Sequence, residues 1–133
     1  MSDGSALKSN TVLKCKITVK KNGSDYVVTY DPEVITVNDY NTDIHFHIDA
    51  KSSDAVEIDD VTYKPDGQTQ LVDQKINPNR QELTLKDLNT VKGNFVLAFT
   101  YKDKHGAAVN CAMAKALDCE SVDVPQINNN PPG

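Results

Sequence analysis

Residues 11–20 read TVLKCKITVK and have the clearest strand pattern in the chain. Its apolar side chains occupy every second position, at Leu13, Cys15, Ile17 and Val19. Because successive side chains of a β-strand point to opposite faces, the alternation predicts a strand with one buried face and one solvent face. Asn22-Gly23 follows, a pair that favours a tight hairpin, and a second alternating run ends at Tyr30.

The same period-two pattern returns along the chain at intervals of about 8 to 12 residues, with Gly, Pro and Asn between the runs. The runs are residues 32–37, 43–49, 55–64, 81–88 and 94–102. With no sustained helical repeat beside them, they predict an all-β fold, an antiparallel β-sandwich of the immunoglobulin or cupredoxin kind with about seven strands. A short helix near residues 111–118 competes with a final strand, because the apolar residues there fall at helical spacing and alanine favours a helix.

The chain has 133 residues, a length that fits one domain. We expect a flexible N-terminus over residues 1–10 and a single sandwich domain over residues 11–122. Residues 123–133 contain three prolines and three consecutive asparagines. Such a segment cannot easily continue a β-ladder, so we expect an extended and exposed tail.

The charge balance excludes some classes of partner. Fourteen Lys and Arg against nineteen Asp and Glu give a net charge of −5, which argues against nucleic acid. No stretch approaches the roughly 20 apolar residues of a spanning helix, so no membrane partner is expected. The polar start lacks a secretory signal, and Cys15, Cys111 and Cys119 have no metal-type spacing. These features predict a soluble, cytoplasmic protein with three free thiols.

Two histidines are the strongest candidates for metal ligands. His45 and His47 are two residues apart on a predicted strand, so both imidazoles project from one face. A site needs a third ligand, and the remaining histidine, His105, lies in a predicted turn. Blue copper is disfavoured because no histidine follows Cys111 or Cys119. We therefore expect two half-exposed polar residues and no cofactor.

Two further groups of residues are weaker candidates for a functional site. The acidic run over residues 49–60 lacks the spacing of a calcium-binding loop, so a solvated sheet edge is the favoured interpretation. Cys111 and His105 have the residue types of a thiol nucleophile and its base, but their spacing establishes no contact.

The Asp31-Pro32 peptide bond is of a type that breaks more readily than other peptide bonds. An aspartate carboxyl can attack its own carbonyl carbon, and the tertiary amide nitrogen of proline is readily protonated and expelled. A simple strand-breaking turn is the alternative. In the tail, Asp123-Val124-Pro125 separates the same residue types by one position. The D-[TS]-G triplet of conventional aspartic peptidases does not occur in the chain.

Four stretches carry a family resemblance: ITVKKNGSDYVVTYDPEVITV (17–37), VTYKPDGQTQL (61–71), LTLKDLNTVKGNFVLAFTYKDKHG (83–106) and the terminal NNPPG (129–133). Together they resemble the small bacterial DP-EP family, named for its Asp-Pro and Glu-Pro dipeptides, over nearly the whole length. The resemblance implies a compact β domain and self-processing of aspartic-peptidase type, in which the protein cuts its own chain at an Asp-Pro bond. The chain departs from the pattern in having no Glu-Pro.

Two functions follow as hypotheses. As a self-processing hydrolase, the protein would use Asp123, then Asp31, as catalytic carboxylates, with cleavage junctions at Pro32 and Pro125. Its partner would then be itself, within one chain or between copies. The alternative is a non-catalytic binding or assembly module that recruits an unknown protein through a strand edge or the tail.

Overall fold

The structure, a computed structural model, describes residues 11–22, 25–49, 56–103, 105–106 and 125–132. All regular structure in those residues is β, and no helix occurs among them. The strands are β1 (Val12–Asn22), β2 (Asp25–Asp31), β3 (Val34–Val37), β4 (Thr42–Ile48), β5 (Glu57–Lys64), β6 (Leu71–Ile76), β7 (Glu82–Asp87), β8 (Gly93–Lys102) and β9 (Gln126–Asn129). The helix considered for residues 111–118 lies outside the described residues.

The strands form two packed sheets, which confirms the predicted β-sandwich. One sheet has five strands in the order β2-β1-β4-β7-β6, and the other has four in the order β3-β9-β8-β5. The described strands number nine and not about seven, and the sheets are not wholly antiparallel, because β1 pairs with β4 and β3 with β9 in parallel. The chain leaves the five-stranded sheet after β2, forms β3 in the other sheet, and returns beside β1. Such a crossover allows the parallel pairing.

The inward faces of both sheets meet in one apolar core. Ile17, Phe46 and Leu97, which the sequence pattern places inward, are fully buried. Phe99 packs against Phe46 with ring centroids 5.1 Å apart. This period-two burial explains why the alternating runs form strands: each strand removes one row of apolar side chains from water.

The predicted exposed tail is wrong for residues 125–129. Residues 126–129 are β9, which pairs with β3 on one side and β8 on the other. Ile127 and Asn129 face inward and are at most 1% exposed. The prolines flank this strand and do not interrupt it. The buried Asn129 Nδ2 donates to Val91 O at 3.1 Å, whereas its Oδ1 has no hydrogen-bond partner among the described residues.

A cluster of buried polar side chains joins the two sheets at one end. We call Gln70, Asp87, Asn89 and Asn129 the polar clasp; each is at most 8% exposed. Gln70 Oε1 accepts hydrogen bonds from the backbone amides of Thr90, at 2.8 Å, and Val91, at 3.2 Å.

Asn89 makes the longest-range bonds of the polar clasp. Its Nδ2 donates to Val37 O at 3.0 Å, Asp39 O at 3.1 Å and Asn130 O at 3.4 Å. Its backbone is in the left-handed region, with φ of 52°, which asparagine tolerates better than other side-chain-bearing residues. One side chain after β7 therefore holds the ends of both β3 and β9.

We expect Asn89→Ala to lower the free energy of unfolding by about 2 to 4 kcal/mol, since it leaves buried carbonyls without donors and places alanine at positive φ. Asn89→Gly removes only the hydrogen bonds and should cost about 1 to 3 kcal/mol. Asn128→Ala, at an exposed position of β9, is the control and should cost within about 0.5 kcal/mol. Urea unfolding measures all three. Wild-type stability in Asn89→Gly would contradict a structural role for the amide.

Candidate functional site

The Asp31-Pro32 junction lies on the surface where the chain passes from one sheet to the other. Asp31 is the last residue of β2 and pairs with Lys16 on β1, and Pro32 precedes β3. The side chains of both Asp31 and Pro32 are exposed, and the bond between them is cis. Both residues of the junction are therefore open to water.

A buried thiol contacts the junction from inside the sandwich. Cys15 Sγ donates to Pro32 O at 3.3 Å, and the Cys15 side chain has no exposed surface. Burial raises the pKa of the Cys15 thiol to about 12, although a backbone hydrogen bond from Asp31 opposes the rise. The thiol is thus neutral at physiological pH, and it acts as a hydrogen-bond donor and not as a nucleophile. Cys15 is a free thiol, as predicted; Cys111 and Cys119 lie outside the described residues.

Tyrosine hydroxyls lie in the core near this thiol. Tyr30, one residue before Asp31, has its hydroxyl 2.8 Å from that of Tyr101. Burial raises the pKa of both phenols, and the charge of Cys15 would raise each further. Both groups stay protonated, and one hydroxyl donates a hydrogen bond to the other, so this part of the core near the junction is uncharged.

The second candidate junction lies beside the first. Gln126 N donates to Glu33 O at 2.8 Å, and Leu97 N donates to Pro125 O at 3.0 Å. Pro32 and Pro125 thus precede neighbouring parallel strands, and the structure brings together two proline junctions that are far apart in sequence. Pro125 is buried, whereas Pro32 is exposed. Asp123 lies outside the described residues.

The two candidate metal ligands share one face, as the sequence predicts. His45 and His47 are half-buried on the outer face of the five-stranded sheet. His45 Nδ1 is 3.8 Å from Glu82 Oε2, and His47 pairs with Glu82 across the strands. Within the described ranges, no group of three or more His, Cys, Asp and Glu side chains is placed to hold a metal ion. His105 is exposed in the turn after β8.

Three surface grooves formed by described residues lie away from the Asp31-Pro32 junction. One of about 600 Å³ is lined by Asp43, His45 and Lys75 among others, and a second of about 490 Å³ runs past Ile76 and Pro78. A third, of about 300 Å³, lies near the polar clasp. No junction residue lines any of the three.

Asp87 is a buried titratable group that the sequence analysis missed. It is fully buried, and its Oδ1 accepts from Asn89 N at 3.0 Å, while its Oδ2 has no hydrogen-bond partner among the described residues. Burial raises the pKa of Asp87 to about 6, with the Asn89 backbone and the Asn129 side chain opposing the rise. The alternation along β7 indicates that Asp87 is buried, because Asp87 follows Leu83 and Leu85 at every second position and so faces inward.

Comparison with known proteins gives no relative: no protein-family model and no curated protein matches the chain. Among the described residues, no helix is long and apolar enough to cross a membrane.

The Asp87 carboxyl should make stability depend on pH. Because its folded pKa is raised, its protonated form stabilises the fold at low pH, and that contribution is lost as the pH rises through about 6. We expect wild-type protein to lose about 1.4 kcal/mol relative to Asp87→Asn between pH 5 and pH 8. Urea unfolding of both proteins across that range measures the difference. Parallel pH profiles would contradict a buried, titrating Asp87.

Proposed function

We propose that this protein is a self-processing β-sandwich of the DP-EP kind, which cuts its own backbone between Asp31 and Pro32. One observation carries the proposal: the exposed junction is held on its amino side by the pairing of Asp31 with Lys16 on β1, and on its carboxyl side by the Cys15 Sγ hydrogen bond to Pro32 O. A held backbone favours an intramolecular attack, because the reacting atoms need not be ordered again for each attempt.

The proposed reaction needs only the junction and one water molecule. A carboxylate oxygen of Asp31 attacks the Asp31 carbonyl carbon and closes a five-membered cyclic anhydride. The C–N bond breaks, and its electron pair goes to the Pro32 nitrogen, which takes a proton from solvent or a neighbouring acid. Water then opens the anhydride, leaving Asp31 with a free carboxylate and a new C-terminal carboxyl.

A second carboxyl would supply that proton, as in aspartic-peptidase chemistry, where two carboxyls take different protonation states. We assign this role to Asp123, which comes two residues before Pro125. The pairing of β3 with β9 supports the assignment, because it sets Gln126 beside Val34 at the start of both strands.

Cleavage at this bond would not release a fragment from the folded protein. The shorter product would contain β1 and β2, and β1 pairs with β4 inside the five-stranded sheet over six residue pairs. The two pieces would remain bound by this ladder and by the core. Cutting is therefore detected only after the protein is denatured.

We expect denaturing mass spectrometry of wild-type protein, incubated folded at pH 4 and pH 7, to find products ending at Asp31 and beginning at Pro32. Asp31→Asn and Pro32→Ala should each abolish them, since the first removes the attacking oxygen and the second the readily expelled nitrogen. Asp123→Asn should slow cutting at least tenfold, a loss typical of a missing general acid. Asp66→Asn, at an exposed turn, is the matched control and should cut like wild type.

The same assay in urea separates the fold's contribution from the lability of the dipeptide. Folded wild-type protein should cut faster than the unfolded chain. A chain that stays whole while an unstructured Asp-Pro peptide is cut beside it would overturn the proposal. Equal cleavage rates for folded and unfolded protein would mean that the fold contributes nothing and that the cut reflects only the chemical lability of an Asp-Pro bond.

Non-catalytic binding is the second candidate function, and the edge strand β2 favours it. Its register with β1 is unbroken over seven pairs, whereas the edge strands β5 and β6 each have a register shift and β3 has four residues. A regular open edge can accept an extended segment of another protein as an added strand.

Strand addition at β2 predicts a measurable contact. A synthetic peptide copying Val12–Lys20, the strand that β2 already pairs with, should shift the β2 amide resonances in an NMR titration. Thr29→Lys, an exposed position on β2, should weaken that binding at least tenfold. Thr84→Lys is the control, because Thr84 is on β7, which lies between β4 and β6 and is not an edge strand. Unshifted β2 amides at millimolar peptide would count against edge binding.

A further inference from the structure

Three side-chain oxygens of the polar clasp have no hydrogen-bond partner among the described residues: Asp87 Oδ2, Asn89 Oδ1 and Asn129 Oδ1. The three side chains are at most 1% exposed, so bulk water does not reach these oxygens. Buried polar atoms without partners are rare in native proteins, because each has lost its hydration with nothing in return. Three of them within one cluster point to a ligand that contacts them together.

The hydrogen bonds of the two asparagines fix which atom of each amide is left over. Asn89 Nδ2 faces three backbone carbonyl oxygens, and Asn129 Nδ2 faces Val91 O at 3.1 Å and Gln70 Oε1 at 3.4 Å. All of these partners are acceptors, so exchanging the nitrogen and oxygen of either amide would place oxygen against oxygen. The atoms without partners are therefore acceptors, and each needs a donor or a positive charge.

The three side chains form one contiguous group with Asp87 at its centre. Asp87 Oδ1 accepts from Asn89 N at 3.0 Å, and the Asn129 side chain lies close enough to oppose the rise in the pKa of the Asp87 carboxyl. Asn89 Nδ2 also contacts Asn130 O at 3.4 Å, one residue beyond Asn129. The carboxylate thus has an asparagine from the segment after β7 on one side and an asparagine of β9 on the other.

A cation meets the needs of this group more fully than a proton or a water molecule does. A proton on Asp87 supplies one donor and a water molecule supplies two, whereas a cation contacts all three oxygens at once. Among the described residues, the buried polar and charged side chains are Thr42 and the four of the polar clasp, so the Asp87 carboxylate has no buried positive side chain beside it. A bound cation would supply that missing charge.

The ligand atoms and the charge count favour a monovalent alkali cation. Carboxylate and amide oxygens are ligands of hard cations and not of soft metals. One carboxylate and one single positive charge leave the buried site neutral, whereas Ca²⁺ would leave an uncompensated positive charge in the core. We propose that Asp87, Asn89 and Asn129 bind a sodium or potassium ion, which joins the segment after β7 to β9.

The proposed cation site does not depend on self-processing. It lies where Val37 pairs with Asn129, whereas the Asp31-Pro32 junction lies beyond the opposite end of the β3–β9 ladder. Asp31→Asn protein, which cannot cut itself by the proposed reaction, should bind the cation as wild type does.

Urea unfolding at pH 8 tests the site, with NaCl or KCl replacing tetramethylammonium chloride at a constant total of about 200 mM. Tetramethylammonium keeps the ionic strength and the chloride concentration fixed but is too large for a buried oxygen site. A single charge on few ligands should bind weakly, with Kd on the order of 10 mM. The folding equilibrium constant should then rise about tenfold in about 100 mM of the alkali cation that binds.

Asp87→Asn removes the charge at nearly unchanged volume and should abolish this response. Asp66→Asn, which removes a charge from an exposed turn, is the matched control and should keep it. Circular dichroism establishes that each variant is folded. Identical unfolding curves in all three salts would overturn the proposal, as would a full response in Asp87→Asn. A larger response to about 1 mM CaCl₂ than to about 100 mM NaCl or KCl would overturn the monovalent assignment.

Side-chain amide resonances test binding in the wild-type protein, whatever the stability of Asp87→Asn. The Nδ2 signals of Asn89 and Asn129 should shift and saturate as sodium or potassium replaces tetramethylammonium. The exposed amide of Asn128 on the same strand as Asn129 is the internal control and should not shift. Unmoved Asn89 and Asn129 signals at about 200 mM of either alkali cation would assign the three oxygens to buried water and exclude the cation.

Discussion

The hydrogen bonds of the Asn89 side-chain amide join the two sheets at one end of the sandwich. Asn89 follows β7 of the five-stranded sheet, and its bonds go to the backbone at Val37, Asp39 and Asn130, at and beyond the ends of β3 and β9. β9 has only four residues, of which two face the core. Burial of one isoleucine would hold so short a strand weakly, so hydrogen bonds from the polar clasp add to the ladders with β3 and β8 that keep it in the sheet.

The polar clasp also fixes the geometry at the opposite end of the same strand pair. β3 and β9 run parallel, with Val37 beside Asn129 at the clasp and Val34 beside Gln126 at the other end. Holding one end sets the register of the whole ladder, because a slip of one residue would turn Asn129 out of the core. The approach of Pro125 to Glu33 at the candidate cleavage junction is thus determined by side chains at the far end of the strands.

Period-two alternation predicted the strands and their buried faces, because a strand that is buried on one side has apolar residues at every second position. It could not predict pairing direction, which depends on where the chain crosses between sheets, so the parallel β1–β4 pair was missed. Proline and asparagine content concealed β9, although Ile127 and Asn129 keep the inward phase. The Asp31-Pro32 junction is visible as a dipeptide, but its closeness to Pro125 follows only from tertiary pairing.

The proposed cleavage would leave the packing of the fold in place, because the strands on either side of the cut are held by other strands. A cut before Pro32 would give β3 a free end, yet β3 would still pair with β9 over four residues and keep Ile35 and Val37 in the core. Since β1 is held by β4 on its other side, neither sheet would lose a strand. Self-processing would therefore change the covalent chain while leaving both sheets of the sandwich as they were.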